Sequence, residues 1–116
     1  KNVRCIHTRA EDHAKEHRES YPAVSARAVA SLPVLCELCL PLVEEGGLFI
    51  AMKGPGGMEE AAASAHAFSV LGAELERSEK SVLSDGAERI NLFCRKVRPA
   101  PKKYPRNFGQ IKKHPL

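Results

Sequence analysis

Apolar positions change period along the chain, and the changes divide it into elements. Residues 3–7, Val-Arg-Cys-Ile-His, form a short β-rich run, and residues 10–20 alternate acidic and basic side chains as an exposed helix does. Residues 21–29 mix small and branched side chains without a helical stripe, which reads as a buried strand. Beyond Leu32, the apolar positions Leu35, Cys36, Cys39, Leu40 and Val43 recur at three and four, the face of a helix; Ser31 and Pro33 open it and Gly46-Gly47 is the expected stop. Residues 48–52, Leu-Phe-Ile-Ala-Met, are continuously apolar, as a strand covered on both faces is.

A second helical stripe runs through Met58, Ala61, Ala62, Ala65, Phe68 and Leu71 to Gly72. Residues 73–83 and 89–97 then flank Ser84-Asp85-Gly86-Ala87, whose Asp-Gly pair signals a hairpin turn. Strands alternating with helices predict an α/β sheet with parallel crossovers, closed by one antiparallel hairpin. Residues 1–97 are read as the body of one domain and residues 98–116 as its tail. Pro99, Pro101, Pro105 and Pro115 make that tail extended or irregular rather than one helix.

Composition narrows the picture only slightly. With 116 residues, 43% hydrophobic and 28% charged, the chain suits one small globular domain rather than a disordered segment. No uncharged stretch approaches the roughly 18 residues a bilayer span needs, so no membrane partner is expected. No secretory leader is evident, and four cysteines then fit a reducing cytoplasm.

Charge is more informative. Residues 1–94 carry a net −4, whereas residues 95–116 hold eight Lys or Arg and no acid. A basic tail on an acidic body is the footprint of a polyanion-binding surface, although a merely solvated tail has the same composition.

Candidate chemistry is sparse. Cys36-Glu37-Leu38-Cys39 has the spacing of a zinc pair, and His13 and His17 stand one helical turn apart. Both cysteines fall on an apolar stripe, where Cys packs as a small hydrophobe, so no metal is expected; Cys5 and Cys94 are expected to pack within strands. No Ser-His-Asp order, nucleophile elbow or zincin helix occurs. Lys53-Gly54-Pro55-Gly56-Gly57 has the composition of a phosphate loop, but its Lys precedes the glycines, so it reads as a strand-to-helix connection.

In open α/β sheets ligands bind outside the carboxyl ends of strands. Those ends carry Glu11, which can accept hydrogen bonds from a nucleoside, and Arg27, which can hold a carboxylate. The plainer alternatives are a helix-dipole partner for Glu11 and a strand-end salt bridge for Arg27.

Three separated runs carry a more specific signal: Ser25-Ala26-Arg27-Ala28-Val29-Ala30-Ser31-Leu32; Gly46-Gly47-Leu48-Phe49-Ile50-Ala51-Met52-Lys53-Gly54; and Lys103-Tyr104-Pro105-Arg106 with Gly109 and Pro115-Leu116. In these the chain resembles the RsmG (GidB) family, bacterial methyltransferases that act on N7 of a guanine in 16S ribosomal RNA. The resemblance runs along essentially the whole chain, departing at Gln110-Ile111, where the family usually has a Pro.

It implies a Rossmann-like class I methyltransferase sheet with S-adenosyl-L-methionine at the strand carboxyl ends, incomplete at the N-terminus. The family's glycine-rich cofactor loop and N-terminal helices have no counterpart here, so the chain reads as the C-terminal part of a longer protein, inactive alone. By resemblance Ala10, Glu11 and Arg27 contact the cofactor. The basic tail becomes an RNA-facing surface on which Lys102, Lys103, Arg106, Lys112 and Lys113 meet phosphates. Tyr104 and Phe108 either stack on bases or pack back on the sheet. No catalytic side chain is implied, because guanine N7 is an unprotonated acceptor on the major-groove edge. A monomer is expected. A non-catalytic RNA-binding module and a small-molecule methyltransferase are the competing readings.

Overall fold

The computed structural model describes residues 13, 14, 17–27 and 31–116. The expected strand at residues 3–7, most of the expected helix at 10–20, and the candidate residues Ala10 and Glu11 lie outside them. Four strands form one sheet: β1 (Tyr21–Arg27), β2 (Val43–Lys53), β3 (Ala73–Val82) and β4 (Glu88–Lys96), in spatial order β1-β2-β4-β3. β1 and β2 run parallel, whereas β4 is antiparallel to both β2 and β3, so the sheet is mixed. Residues 13 and 14 are helical, and the helices with both ends among the described residues are α1 (Leu32–Cys39), α2 (Gly57–Ala63), α3 (Ala65–Leu71) and α4 (Phe108–Lys113).

Pairing fixes which side chains share a face. Phe49, Ala51, Ile90, Leu92 and Cys94 alternate onto the side where Leu32, Leu35, Cys36, Leu40, Ala61, Ala67, Phe68 and Leu71 pack, and all are buried. This single core, covered by α1, α2 and α3, is what the hydrophobic stripes of those helices are for. The opposite face carries Leu48, Ile50 and Met52 of β2 opposite Arg95, Phe93 and Asn91 of β4, all half-buried.

The structure corrects two boundaries. α1 does not run to Gly46-Gly47: it ends at Cys39 in a 3-10 turn, Leu40–Leu42, because Pro41 has no N–H with which to continue. The glycines lie inside β2, where the register against β1 jumps from Tyr21↔Val43 to Ala23↔Leu48. Gly46 sits at φ +86°, and a Cβ on Gly47 would press within 2.8 Å of the Pro22 carbonyl oxygen, so this irregularity needs both.

The stripe from Met58 to Leu71 is likewise two helices. At Ser64 the backbone leaves the helical region (φ −103°, ψ 13°), and its hydroxyl donates back to the Glu60 carbonyl oxygen at 2.7 Å. α3 then stops at Gly72, whose left-handed φ of +84° suits a residue without a side chain.

The hairpin turn forms at the expected residues: Gly86 at φ +86°, the Gly86 N–H on the Leu83 carbonyl at 2.9 Å, and the Asp85 carboxylate accepting from the Ala87 N–H at 2.9 Å.

The tail is irregular after β4, then helical at α4, where the Asn107 side chain accepts from the Gln110 N–H at 3.0 Å. It is bound to the body throughout. Val97 and Arg98 donate to the Gly72 carbonyl, while Tyr104 and Ile111 are buried. Arg18 donates to the carbonyls of Ala100, Pro101 and Tyr104. Glu19 accepts from the Ala100 N–H at 2.9 Å and pairs at 3.0 Å with Lys96, which is wholly buried and also donates to the carbonyls of Leu40 and Val43.

Burial raises the Glu19 carboxyl, but the Ala100 N–H and the Lys96 ammonium outweigh it and hold the group below its ordinary 4.5. Burial pulls Lys96 down, against the opposing pull of Glu19. Because the folded value of Glu19 is depressed, its contribution to stability is full above about pH 5 and is lost as the pH falls through the folded value. Denaturant titrations between pH 6 and 3 are therefore expected to show a gap between the parent protein and Glu19→Gln that closes as the solution is acidified. A gap independent of pH contradicts the assignment.

Candidate functional site

Because β4 is antiparallel, its amino end lies beside the carboxyl ends of β1 and β2: Lys53 pairs with Ile90, and Met52 with both Arg27 and Asn91. A cleft of about 800 Å³ opens at this edge, lined by Arg27, Met52, Lys53, Gly54, Ser81, Leu83, Arg89 and Asn91. The carboxyl ends of the parallel strands are legible in sequence, and Arg27 and the Lys53-Gly54 segment stand in the cleft. Ser81, Arg89 and Asn91 are not found that way, since an antiparallel strand brings its opposite end to the site. The Asp85-Gly86 turn is the only signal that could have placed them there.

The floor is held rigid by one carboxylate. Glu60 pairs through one oxygen with Lys53 at 2.8 Å and accepts the Leu32 N–H with the other at 2.7 Å, tying the start of α1, the end of β2 and α2 together. The Leu32 N–H is one of the donors that every helix start leaves without an intrahelical partner. Lys53 is therefore engaged, and its side chain is almost fully buried. Arg27 is exposed, and neither it nor Arg89 has a carboxylate partner among the described residues. Elsewhere in the hairpin the arginines are paired: Arg95 with Glu76 at 2.9 Å, and Arg77 with Glu79 at 3.3 Å while stacked 4.1 Å from the Phe93 ring. Glu76 holds the Arg95 guanidinium above its usual range and is itself lowered by it.

Arg27 and Arg89 thus bring to the cleft two guanidinium groups without a carboxylate partner among the described residues, and an anionic or carboxylate-bearing ligand is favoured there. Met52 gives the cleft an apolar wall, and Gly54, around which a Cβ would meet nothing within 4 Å, leaves room for close approach.

The tail residues separate into two groups. Lys102, Lys103, Lys112 and Lys113 are exposed. Arg106 instead turns inward: it donates from Nε and Nη2 to the Glu37 carboxylate at 2.9 and 2.8 Å, and from Nη2 to the His114 carbonyl at 2.8 Å. Its own N–H also reaches Glu37 at 2.8 Å. Glu37 is fully buried, so this guanidinium serves the fold, and Glu37 lifts the Arg106 pKa above its ordinary value. Tyr104 joins the core, with Lys103 Nζ 5.3 Å from its ring, whereas Phe108 is 40% exposed.

Cys36, Cys39 and Cys94 are free thiols buried in the core. His13 stacks on His17 with centroids 4.2 Å apart and shares a hydrogen bond of 2.8 Å with the Tyr21 hydroxyl. Among the described residues, no three His, Cys, Asp or Glu side chains are grouped to hold a metal, and no helix is long and apolar enough to cross a membrane.

Residues 1–89 match the family model GidB, described as rRNA small subunit methyltransferase G. Curated proteins called ribosomal RNA small subunit methyltransferase G are similar along the whole chain. That of Clostridium botulinum (strain 657 / Type Ba4) is 48% identical over 119 residues, covering 100% of this chain and 50% of the relative. That of Halalkalibacterium halodurans is 49% identical over the same shares. That of Geobacillus kaustophilus is 47% identical over 118 residues, 99% of this chain and 50% of its own. The chain spans about half the length of the curated relatives it matches. A mixed α/β sheet with its cleft at the strand carboxyl ends, and identity near one half to these relatives, agree on one conclusion: the chain belongs to the rRNA small subunit methyltransferase G family, of class I methyltransferase fold.

Proposed function

We propose that the chain is part of a methyltransferase that uses S-adenosyl-L-methionine to methylate N7 of a guanine in 16S ribosomal RNA. The observation that carries this reading is the cleft at the carboxyl ends of β1 and β2, with Arg27 on one wall, in a chain of this family. The lining suits the methyl donor. Arg27 supplies a cation for its amino-acid carboxylate, Met52 an apolar wall for its uncharged parts, and Gly54 the room for close backbone approach. Ala10 and Glu11 are assigned to its adenosine by family resemblance.

When bound, the cofactor supplies an electrophilic methyl group on a sulfonium. The chain's own contribution is positional. Guanine N7 carries a lone pair and no proton, so no side chain needs to act as general base. The Lys53–Glu60–Leu32 network ties the start of α1 to the end of β2, which favours in-line approach of acceptor and donor. Lys102, Lys103, Lys112 and Lys113 contact RNA phosphates in this reading, and Arg106 holds the tail that presents them.

The test is calorimetric titration of S-adenosyl-L-methionine into the product of the complete reading frame, beside its Arg27→Ala variant. Loss of a charge-assisted contact is expected to weaken binding by roughly 10- to 100-fold. A folded protein that binds no cofactor but retains affinity for 16S RNA overturns the enzyme reading in favour of an RNA-binding module. Unchanged affinity in Arg27→Ala removes Arg27 from the site.

A further inference from the structure

Resting on the reading of the tail as an RNA-facing surface, we propose that Glu37, a buried residue of α1, is a positioning residue for RNA binding, acting through Arg106 on the lysines of the tail.

The basic arm consists of two lysine pairs separated by Arg106. Lys102 and Lys103 sit in a turn closed by the Tyr104 N–H on the Pro101 carbonyl at 3.1 Å, and Lys112 and Lys113 form the last turn of α4. A six-residue helix and a proline-rich turn have little stability of their own. Their arrangement depends on what they are tied to. Arg106 reaches the neighbours of both: its guanidinium carbon lies 5.9 Å from the ring centroid of Tyr104, next to the first pair, and its Nη2 donates to the His114 carbonyl just beyond the second. Arg106 is in turn fixed by Glu37, which accepts from its Nε, its Nη2 and its backbone N–H.

Glu37 is fully buried, on a helix otherwise lined with Leu32, Val34, Leu35, Cys36 and Cys39. A carboxylate in that setting is costly unless fully bonded, and every bond described for it goes to Arg106. A planar guanidinium meeting a carboxylate at two points also fixes orientation, as a lysine cannot. Through Arg106, Glu37 therefore supplies the anchor shared by both lysine pairs, beside the hold that Arg18 has on the carbonyls of residues 100, 101 and 104, while contacting no ligand itself.

The experiment uses the product of the complete reading frame and a 16S ribosomal RNA fragment, with affinity measured across a salt series and S-adenosyl-L-methionine affinity in parallel. The variants are Glu37→Gln, Arg106→Lys, and a quadruple change of Lys102, Lys103, Lys112 and Lys113 to Gln. Glu37→Gln keeps every lysine. It is nonetheless expected to lose at least tenfold in RNA affinity and to flatten the salt slope by ~3, approaching the quadruple variant, since each phosphate contact contributes about 0.7–0.9 to that slope. Cofactor affinity is expected to stay within twofold, which general unfolding would not allow. Arg106→Lys retains the charge but not the two-point contact and is expected to fall between; it carries the test if Glu37→Gln does not fold. Parent-like affinity and slope in the folded Glu37 or Arg106 variant, alongside loss in the quadruple variant, overturns the positioning role alone. No loss in the quadruple variant overturns it together with the RNA reading of the tail.

Discussion

Replacing Arg106 by methionine is expected to lower the unfolding free energy by about 3–5 kcal/mol, the usual cost of leaving a buried charge without its partner. Glu37 has no exposure to solvent, and the four hydrogen bonds described for it all come from Arg106, one of them from its backbone N–H. Removing the guanidinium leaves the carboxylate in the core with that single N–H. The loss can be read from urea titrations monitored by far-UV circular dichroism. The same reasoning makes Glu37→Leu partly compensating. In the double variant no charge remains to be buried, and most of the lost stability is expected to return. A single Arg106→Met variant as stable as the parent contradicts the assignment of Arg106 to the fold.

The second large effect concerns thiol reactivity. Burial pushes Cys39 and Cys94 up to about 12 from an ordinary 9.0, and Cys36 well above 9.0, with the neighbouring thiols adding to the rise at Cys36. Only the thiolate attacks alkylating agents, so the reactive fraction of Cys39 and Cys94 at pH 8 falls about 1000-fold relative to the unfolded chain, and that of Cys36 falls with them. Iodoacetamide labelling followed by peptide mass spectrometry is expected to leave these three positions unmodified in the native protein and to modify all three in concentrated urea. Rapid native labelling of Cys36 or Cys39 contradicts the packing of α1 on the sheet. Their two-residue spacing is then explained by helix geometry, which puts both on the stripe that meets the core.

Local chemistry made much of the architecture legible. The Asp85-Gly86 pair marks the hairpin in sequence, and in the structure Ile90, Leu92 and Cys94 alternate onto its buried face. Lys96 continues that alternation and is buried with it, a signal that charge alone obscures. Arg27, at the end of β1, is a candidate because ligands in open sheets collect at strand carboxyl ends, and it lines the cleft. What escaped depends on contacts distant in sequence. Glu37 and Arg106 are 69 residues apart, and nothing near either one distinguishes a buried pair from two solvated charges. In sequence Arg106 groups with the tail lysines, although its guanidinium faces the core. Gly46-Gly47 read as a helix stop, because a bulge that admits Pro22 against β2 looks the same in one dimension. Ser81, Arg89 and Asn91 became candidates only when the antiparallel register brought β4 to the cleft.

The most direct test of the central claim is methyl transfer itself. The product of the complete reading frame is incubated with S-adenosyl-L-methionine and unmodified 16S ribosomal RNA, and the RNA is then treated with borohydride and aniline, which cleave the backbone at N7-methylguanosine. A single cleavage site, present with the parent protein and strongly reduced with Arg27→Ala, is the result expected. An RNA that remains uncleaved although the folded protein binds the cofactor contradicts the assignment of guanine N7 as the methyl acceptor.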